Sequence, residues 1–413
     1  MKNEILTLMV VGLMGLSSCK NNSTEAPETT ANGDSISTAA SVETKDPNTN
    51  YKPAFAGQTR VAAVKTQTAY EGKVLTNDLK KPWGLAVLPD GRLLITEKEG
   101  TLRLASSSGT LSEPITGLPK VDADGQGGLL GITIDPAFTS NRMVYWVFSE
   151  PQTRGNLTAV GKGKLSADEK RIEGATTIYR ATPAYDGDKH YGGRILFDKT
   201  GNLFVSTGER SDLETRPQAQ QLNSALGKIL YITKDGKPVS GNPFASDANN
   251  KPEIYSYGHR NVQGLALHPQ TGELWENEFG PKGGDEVNLI KPGKNYGWPV
   301  ITYGIEYNGN KIGGAIQQKE GLEQPVYYWD PVVSASGMTF YSGDAMPEWK
   351  NNLFLACLSA THIARLVIEN NKVTGEERLL ESEKQRFRDI AQGTDGALYA
   401  ITDEGRLYRI FKK

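Results

Sequence analysis

Trp83-Gly84-Leu85-Ala86-Val87-Leu88-Pro89-Asp90-Gly91-Arg92-Leu93-Leu94-Ile95-Thr96 is the stretch from which the fold is read. Two apolar runs flank Pro-Asp-Gly. Asp-Gly between such runs is the strongest local hairpin signal, because both central residues of the tight turn take positive φ. The plan recurs downstream. Residues 131–135 lead to 143–148, and 194–198 turn at Thr200-Gly201-Asn202 into 203–206. Residues 264–268 turn at Thr271-Gly272 into 273–276, and 337–341 lead to 353–356. Last, 389–391 turn at Thr394-Asp395-Gly396 into 397–401. Further strands follow some pairs, as at 100–104 and 405–410. The six units are about 60 residues apart, longer than the ~40–50 of common propeller repeats, so long loops are inserted. We expect an all-β fold, a six-bladed β-propeller of four-stranded antiparallel blades whose faces are buried only by their neighbours. A two-sheet sandwich is the alternative; six like units suit radial repetition better. One short helix is expected within residues 214–228.

The 413 residues include 45 Gly, above the usual ~7%, and 37% are hydrophobic, which excludes global disorder. Lys plus Arg is 46 against 48 for Asp plus Glu, a net charge of −2. A general nucleic-acid binder would carry a basic excess, so nucleic acid is not an expected partner. Residues 5–16 are almost wholly apolar yet short of the ~20 that span a bilayer, a length that suits a secretory signal. Leu16-Ser17-Ser18-Cys19 resembles a bacterial lipobox, which implies a signal peptide over residues 1–19 and lipid on Cys19. Residues 20–50 are rich in Asn, Ser, Thr, Ala and Glu and poor in large apolar side chains, so they cannot offset chain entropy by burial. We therefore expect a flexible tether over 20–60, a propeller domain over 61–413, and a lipid-anchored location in the bacterial cell envelope, facing the periplasm or at the outer membrane. Cys357 is then the only thiol of the mature domain and forms no intrachain disulfide.

The unusual residues lie between the hairpins, where a propeller carries its site. They are the stretches 122–131, 189–194, 257–265, 278–288, 295–299 and 386–389. Gly-rich turns there admit close approach of backbone to a ligand. Arg260, Arg386 and Arg388 can hold carboxylates in bidentate fashion. Carbonyls at Gly280-Pro281 and the carboxylates of Asp285 and Glu286 are hard oxygen ligands of the kind Ca²⁺ takes. Four His and one available Cys give little support to a soft-metal site. Each stretch also has a plain structural reading. Asp122 and Asp124 can be a turn, His190 a hydrogen-bonded buried histidine, and Arg386 and Arg388 a solvated strand face. His259, His268 and His362 read as structural, and Lys282 and Glu286 as surface residues.

Together the stretches resemble the quinoprotein glucose/sorbosone dehydrogenase family, and most of all its soluble aldose sugar dehydrogenases that use pyrroloquinoline quinone (PQQ). The resemblance runs in order from about residue 70 to the C-terminus, and that family is a six-bladed propeller. It implies that His190 is the base taking the anomeric hydroxyl proton, that Glu209 orients it, and that Arg260 stands near the reactive quinone carbonyl. It implies cofactor contacts from Gln126, Asn261, Arg386 and Arg388. It places Ca²⁺ on the carbonyls of Gly280 and Pro281, with Asp285 close by. The implied reaction oxidises the C1 hydroxyl of a cyclic sugar to a lactone, with a cytochrome or quinone as final electron acceptor. Three positions depart from the family pattern. Lys189 stands where glucose-oxidising members carry an acidic residue, and Phe279 where they have Gln. The stretch Leu358-Ser359-Ala360-Thr361 lacks the Lys they place there for the cofactor. A Ca²⁺-dependent propeller lactonase and a non-catalytic surface propeller that binds glycans or proteins are the competing readings. The three arginines speak against the first, since a neutral lactone needs no such clamp.

Overall fold

The computed structural model describes residues 40–413. The expected signal peptide, Cys19 and the first part of the tether lie outside the described residues.

Six antiparallel sheets follow one another along the chain. The first blade holds Pro82–Val87, Leu93–Glu97 and Thr101–Ala105. Its outer edge is continued by the isolated bridges Leu102 to Ile115 and Ala105 to Leu111 rather than by a full fourth strand. The second blade is built from Leu129–Ile134, Met143–Pro151, Asn156–Leu165 and Ile172–Arg180, the third from Ile195–Phe197, Leu203–Ser206, Lys228–Ile232 and Ile254–Tyr257. Val262–Leu267, Leu274–Glu278, Asp285–Ile290 and Tyr327–Trp329 make the fourth, and Ala335–Phe340, Leu353–Cys357, Ile363–Glu369 and Lys372–Leu379 the fifth. The sixth takes Phe387–Gln392, Leu398–Thr402 and Leu407–Lys412 from the C-terminus. Tyr70–Thr76 from the N-terminal side joins it, with Tyr70 opposite Lys412 and Glu71 opposite Phe411. Chain ends that share one sheet close the ring.

Each blade interface has its own apolar core. Blades one and two pack around Trp146, Phe148 and Leu94, and blades four and five around Trp275, Trp329 and Leu355. This is the physical content of a repeat that cannot bury its faces alone. The innermost strands of all six blades line a central channel of ≈ 230 Å³. A buried ion pair crosses its axis: Arg194 Nη1 lies 2.6 Å from Asp389 Oδ2. Asp389 also accepts from Leu85 N, and Arg194 donates to the carbonyls of Gln263 and Arg388. Gly131 N donates to Gly193 O. Gly337 faces Asp389 so closely that a Cβ there would meet Oδ1 at 1.8 Å, so only glycine fits. The hydrogen bonds of this one charged pair thus tie together blades one, three, four and six.

Two expectations need correction. The helix expected within 214–228 shrinks to a 3-10 turn at Arg216–Gln220, and Lys228 already begins a strand. The tether expected over 20–60 is, over residues 40–60, laid against the propeller. Asn48 and Thr49 donate through backbone and side chain to the Asp330 carboxylate, Gln58 is fully buried, and Glu43 pairs with Arg378 at 2.6 Å. Polar composition misled here, because this segment is held by hydrogen bonds to carboxylates rather than by apolar burial.

Candidate active site

A cavity of ≈ 340 Å³ is lined by residues from strand ends and connections of the blades. That volume is at the lower end of small-ligand sites. Trp83, Gln126, Tyr191, Gln263, Arg386 and Arg388 are among its walls.

His190 lies in the connection between blades two and three. It is 4% exposed, and its Nδ1 is 2.6 Å from Glu209 Oε1. Among the described residues no group hydrogen-bonds its Nε2, so this is the nitrogen left for chemistry. The backbone there is left-handed, φ 47°, as it is at Arg210 and Ser211. Non-glycine residues held in that region cost about 1–3 kcal/mol each and persist where the surroundings over-determine them. The surroundings are specific. Gln126 Oε1 accepts from His190 N at 2.9 Å, and Arg210 Nε donates to Lys189 O at 2.9 Å. Gly208 packs so tightly on His190 that a Cβ would come within 2.2 Å of its carbonyl oxygen. Burial, then the Arg260 guanidinium, pushes the His190 pKa down to about 4 against the opposing pull of Glu209. The imidazole is therefore neutral near pH 7 and able to accept a proton.

Arg260 donates through Nη1 to Phe279 O at 2.9 Å and Gly280 O at 2.7 Å, and lies over the Trp298 ring at 5.2 Å. Its Nε is buried without a hydrogen-bond partner among the described residues, and so is Asn261 Nδ2. Asn261 Oδ1 is occupied by Gly192 N and Gln263 Nε2. Two unpaired buried donors call for an acceptor-rich ligand. Arg386 and Arg388 share one carboxylate, Asp403, through contacts of 2.9 and 2.8 Å, while Phe387 between them is buried in the core. The alternation read from the sequence is present, and both arginines line the cavity, Arg388 with 16% of its side chain exposed and Arg386 with 45%.

The expected metal set is only partly assembled. Asp285 Oδ1 accepts from Gly280 N at 2.7 Å, and Oδ2 from Val333 N and Ser334 N at 2.9 and 2.5 Å. Both oxygens accept from backbone amides, so Asp285 shapes the loop, and Oδ1, with a single amide, keeps a lone pair. Gly280 O is shared with Arg260. Gly280 and Pro281 nevertheless line a second, small cavity of ≈ 10 Å³ together with Glu278 and Glu286. Glu286, expected at the surface, faces this cavity; burial and Glu278 raise its pKa well above the usual carboxylate range. Glu276 behaves likewise for the same reasons. His259, Glu276 and Glu278 cluster within 4.8 Å, and His259 is stacked on Tyr296 with Nε2 at 2.8 Å from Ser256 Oγ. His268 packs on Phe340, and His362 Nδ1 is 2.9 Å from Ala360 O, so both are structural as read.

Sequence reasoning missed Trp83, Lys98, Arg194, Arg210, Gln263 and Asp403. Trp83 had a visible signal, an aromatic residue opening a repeat, and its ring lies 4.2 Å from the Arg194 guanidinium and 6.0 Å from that of Arg388. Asp403 had none, being one acid in an ordinary turn.

The profile of the Glucose / Sorbosone dehydrogenase family matches residues 79–409. An aldose sugar dehydrogenase of Escherichia coli K12 is 42% identical over 82% of this chain and 92% of its own length. The apo-form crystal structure of the soluble aldose sugar dehydrogenase from Escherichia coli superposes with TM-score 0.80 and 40% identity, over 84% of this chain and all of that one. The PQQ-bound form of the aldose sugar dehydrogenase from Streptomyces coelicolor gives TM-score 0.69 and 29% identity, over 84% of this chain and all of that one. With the propeller, the buried histidine–glutamate pair and the arginine-lined cavity in place, the match decides the relationship: this chain belongs to the glucose/sorbosone dehydrogenase family.

Proposed function

We propose that the protein is a PQQ- and Ca²⁺-dependent aldose sugar dehydrogenase that oxidises the C1 hydroxyl of a cyclic sugar to a lactone. The observation that carries this reading is the neutral His190, oriented by Glu209, beside a cavity lined by Gln126, Arg386 and Arg388 that suits a flat tricarboxylate. Arg386, Arg388, Asn261, Gln126 and Arg260 would hold the quinone. When bound, the quinone supplies the acceptor for the hydride that leaves C1. His190 Nε2 takes the hydroxyl proton, and Glu209 stabilises the imidazolium so formed. Arg260, on the wall of the smaller cavity beside Glu278, would bring positive charge close to His190, and negative charge developing there would gain from it in a dry site. For Ca²⁺, the carbonyls of Gly280 and Pro281 with the carboxylates of Glu278 and Glu286 would supply hard oxygen ligands, with Asp285 close by. A lipid anchor on Cys19 and a cell-envelope location complete the proposal, with a cytochrome or quinone as electron acceptor.

The test mixes apo-protein with PQQ and CaCl₂ and follows reduction of an artificial dye with a panel of aldoses. Dye reduction that needs both additions is expected, and His190→Ala should lower the rate by about 10²–10⁴. No quinone binding and no reduction with any aldose would overturn the reading.

A further inference from the structure

The cavity wall carries four cationic side chains, Lys81, Lys98, Arg386 and Arg388, and one carboxylate, Asp403. Their charges are unequally compensated. Lys81 Nζ pairs with Glu99 at 3.0 Å, and the two arginines share Asp403. Lys98 has no carboxylate partner among the described residues. Its ammonium donates once, to Gly125 O at 2.6 Å, and two of its three protons remain unspent. Burial, Lys81 and Arg388 disfavour its charge and outweigh the opposing pull of Glu99 and Asp124. Across the cavity lining, the stretch around Leu358 supplies no cation.

We propose that Lys98 is a cofactor-holding residue: its ammonium, entering from blade one, receives a carboxylate of the bound anionic quinone, while Arg386 and Arg388 hold it from blade six. This rests on the quinone-dependent reading above. Lys98 has a second task that must be separated from the first. Its carbonyl accepts from Leu129 N at 2.9 Å while Nζ holds Gly125 O, so it grips the loop on both sides of Gln126, the residue that fixes His190. A lysine that only clamps this loop would affect binding indirectly and without regard to charge. A lysine that meets a carboxylate contributes a charge-assisted contact that salt weakens.

The experiment measures the dissociation constant of PQQ for apo-protein in CaCl₂ by equilibrium dialysis, at low and high salt. Wild type, Lys98→Met and Lys98→Arg are compared. Lys98→Met should bind about 10- to 100-fold more weakly, with a shallower salt dependence. Lys98→Arg should recover most of the affinity and the slope. If wild type binds PQQ and Lys98→Met binds it equally well, the assignment of Lys98 is wrong and the proposed function stands. If Lys98→Met and Lys98→Arg weaken binding alike with the wild-type salt slope, Lys98 is only a clamp and the assignment is again wrong. If wild type itself does not bind PQQ, the functional reading falls and this inference falls with it.

Discussion

Glu209→Gln is the most informative single change, because the structure specifies both its size and its pH signature. The pair is buried on both sides, with Glu209 1% and His190 4% exposed and 2.6 Å between Oε1 and Nδ1. The substitution is also well controlled. Ser211 N donates to the same Oε1 at 3.1 Å, so two N–H groups point at that position. The glutamine carbonyl oxygen will occupy it, and the tautomer with Nε2 free is kept. What is lost is the carboxylate charge facing an imidazolium. A hydrogen bond to a charged partner contributes about 1.5–3 kcal/mol. At 1.36 kcal/mol per tenfold, the plateau rate falls roughly 10- to 150-fold. The sign of the pH effect follows separately. In the wild type His190 titrates at about 4, held down by burial and Arg260 and pulled up by Glu209. Removing Glu209 pushes it lower still. The base works as the neutral form and protonation switches it off, so the acid limb of log kcat/KM lies near 4 in the wild type and moves to lower pH in the variant. Steady-state dye reduction with the reconstituted enzyme, from acid to neutral pH, reads both quantities. A plateau within twofold of wild type, or an acid limb that moves up, would refute the assigned pairing.

Two further outcomes are expected. Arg194→Met leaves Asp389 buried and unpaired across the channel, and should destabilise the protein by about 3–5 kcal/mol; adding Asp389→Asn should restore part of the loss of melting temperature, and a single variant that melts like wild type would show that the ion pair does not hold the ring. Calcium should raise the melting temperature of the apo-protein, since a ligand bound only to the folded state stabilises it. Glu286→Gln should abolish that rise, and its survival would place the ion elsewhere.

Much of the fold was legible because hairpin chemistry is local. Asp90-Gly91, Thr200-Gly201 and Asp395-Gly396 announce their turns within a few residues, and each separates strands that pair as read. Closure of the ring was not legible, since Tyr70–Thr76 pairs with a strand more than three hundred residues away in the chain. The site was legible where the family pattern names single residues: Gln126, Arg386 and Arg388 line one cavity, His190 is tied to Gln126 and Glu209 next to it, and Arg260 lines the smaller cavity beside Glu278. It was less legible where the role depends on which way an oxygen points. Asp285 carries the right chemistry for a metal, and three amides hold its carboxylate in the loop. Glu286 looked like a surface acid and faces a cavity beside Glu278, because register puts the two opposite each other across a strand pair. Residues 40–60 looked too polar to order, yet Asn48, Thr49 and Arg60 converge on Asp330.

The amino-acid sequence by itself determined the number of blades, their hairpins, the family and the residue types of the candidate site. Turn propensity and apolar alternation act over a few residues and need no knowledge of the rest of the chain. The tertiary structure alone decided which charges are spent and which are free. Asp403 occupies two arginines, backbone amides occupy Asp285, and Lys98 is left with an unpaired ammonium on the cavity wall. The reason is that pairing between charges depends on distances of a few ångströms between side chains and backbone groups brought together by folding, and chain order does not encode those distances.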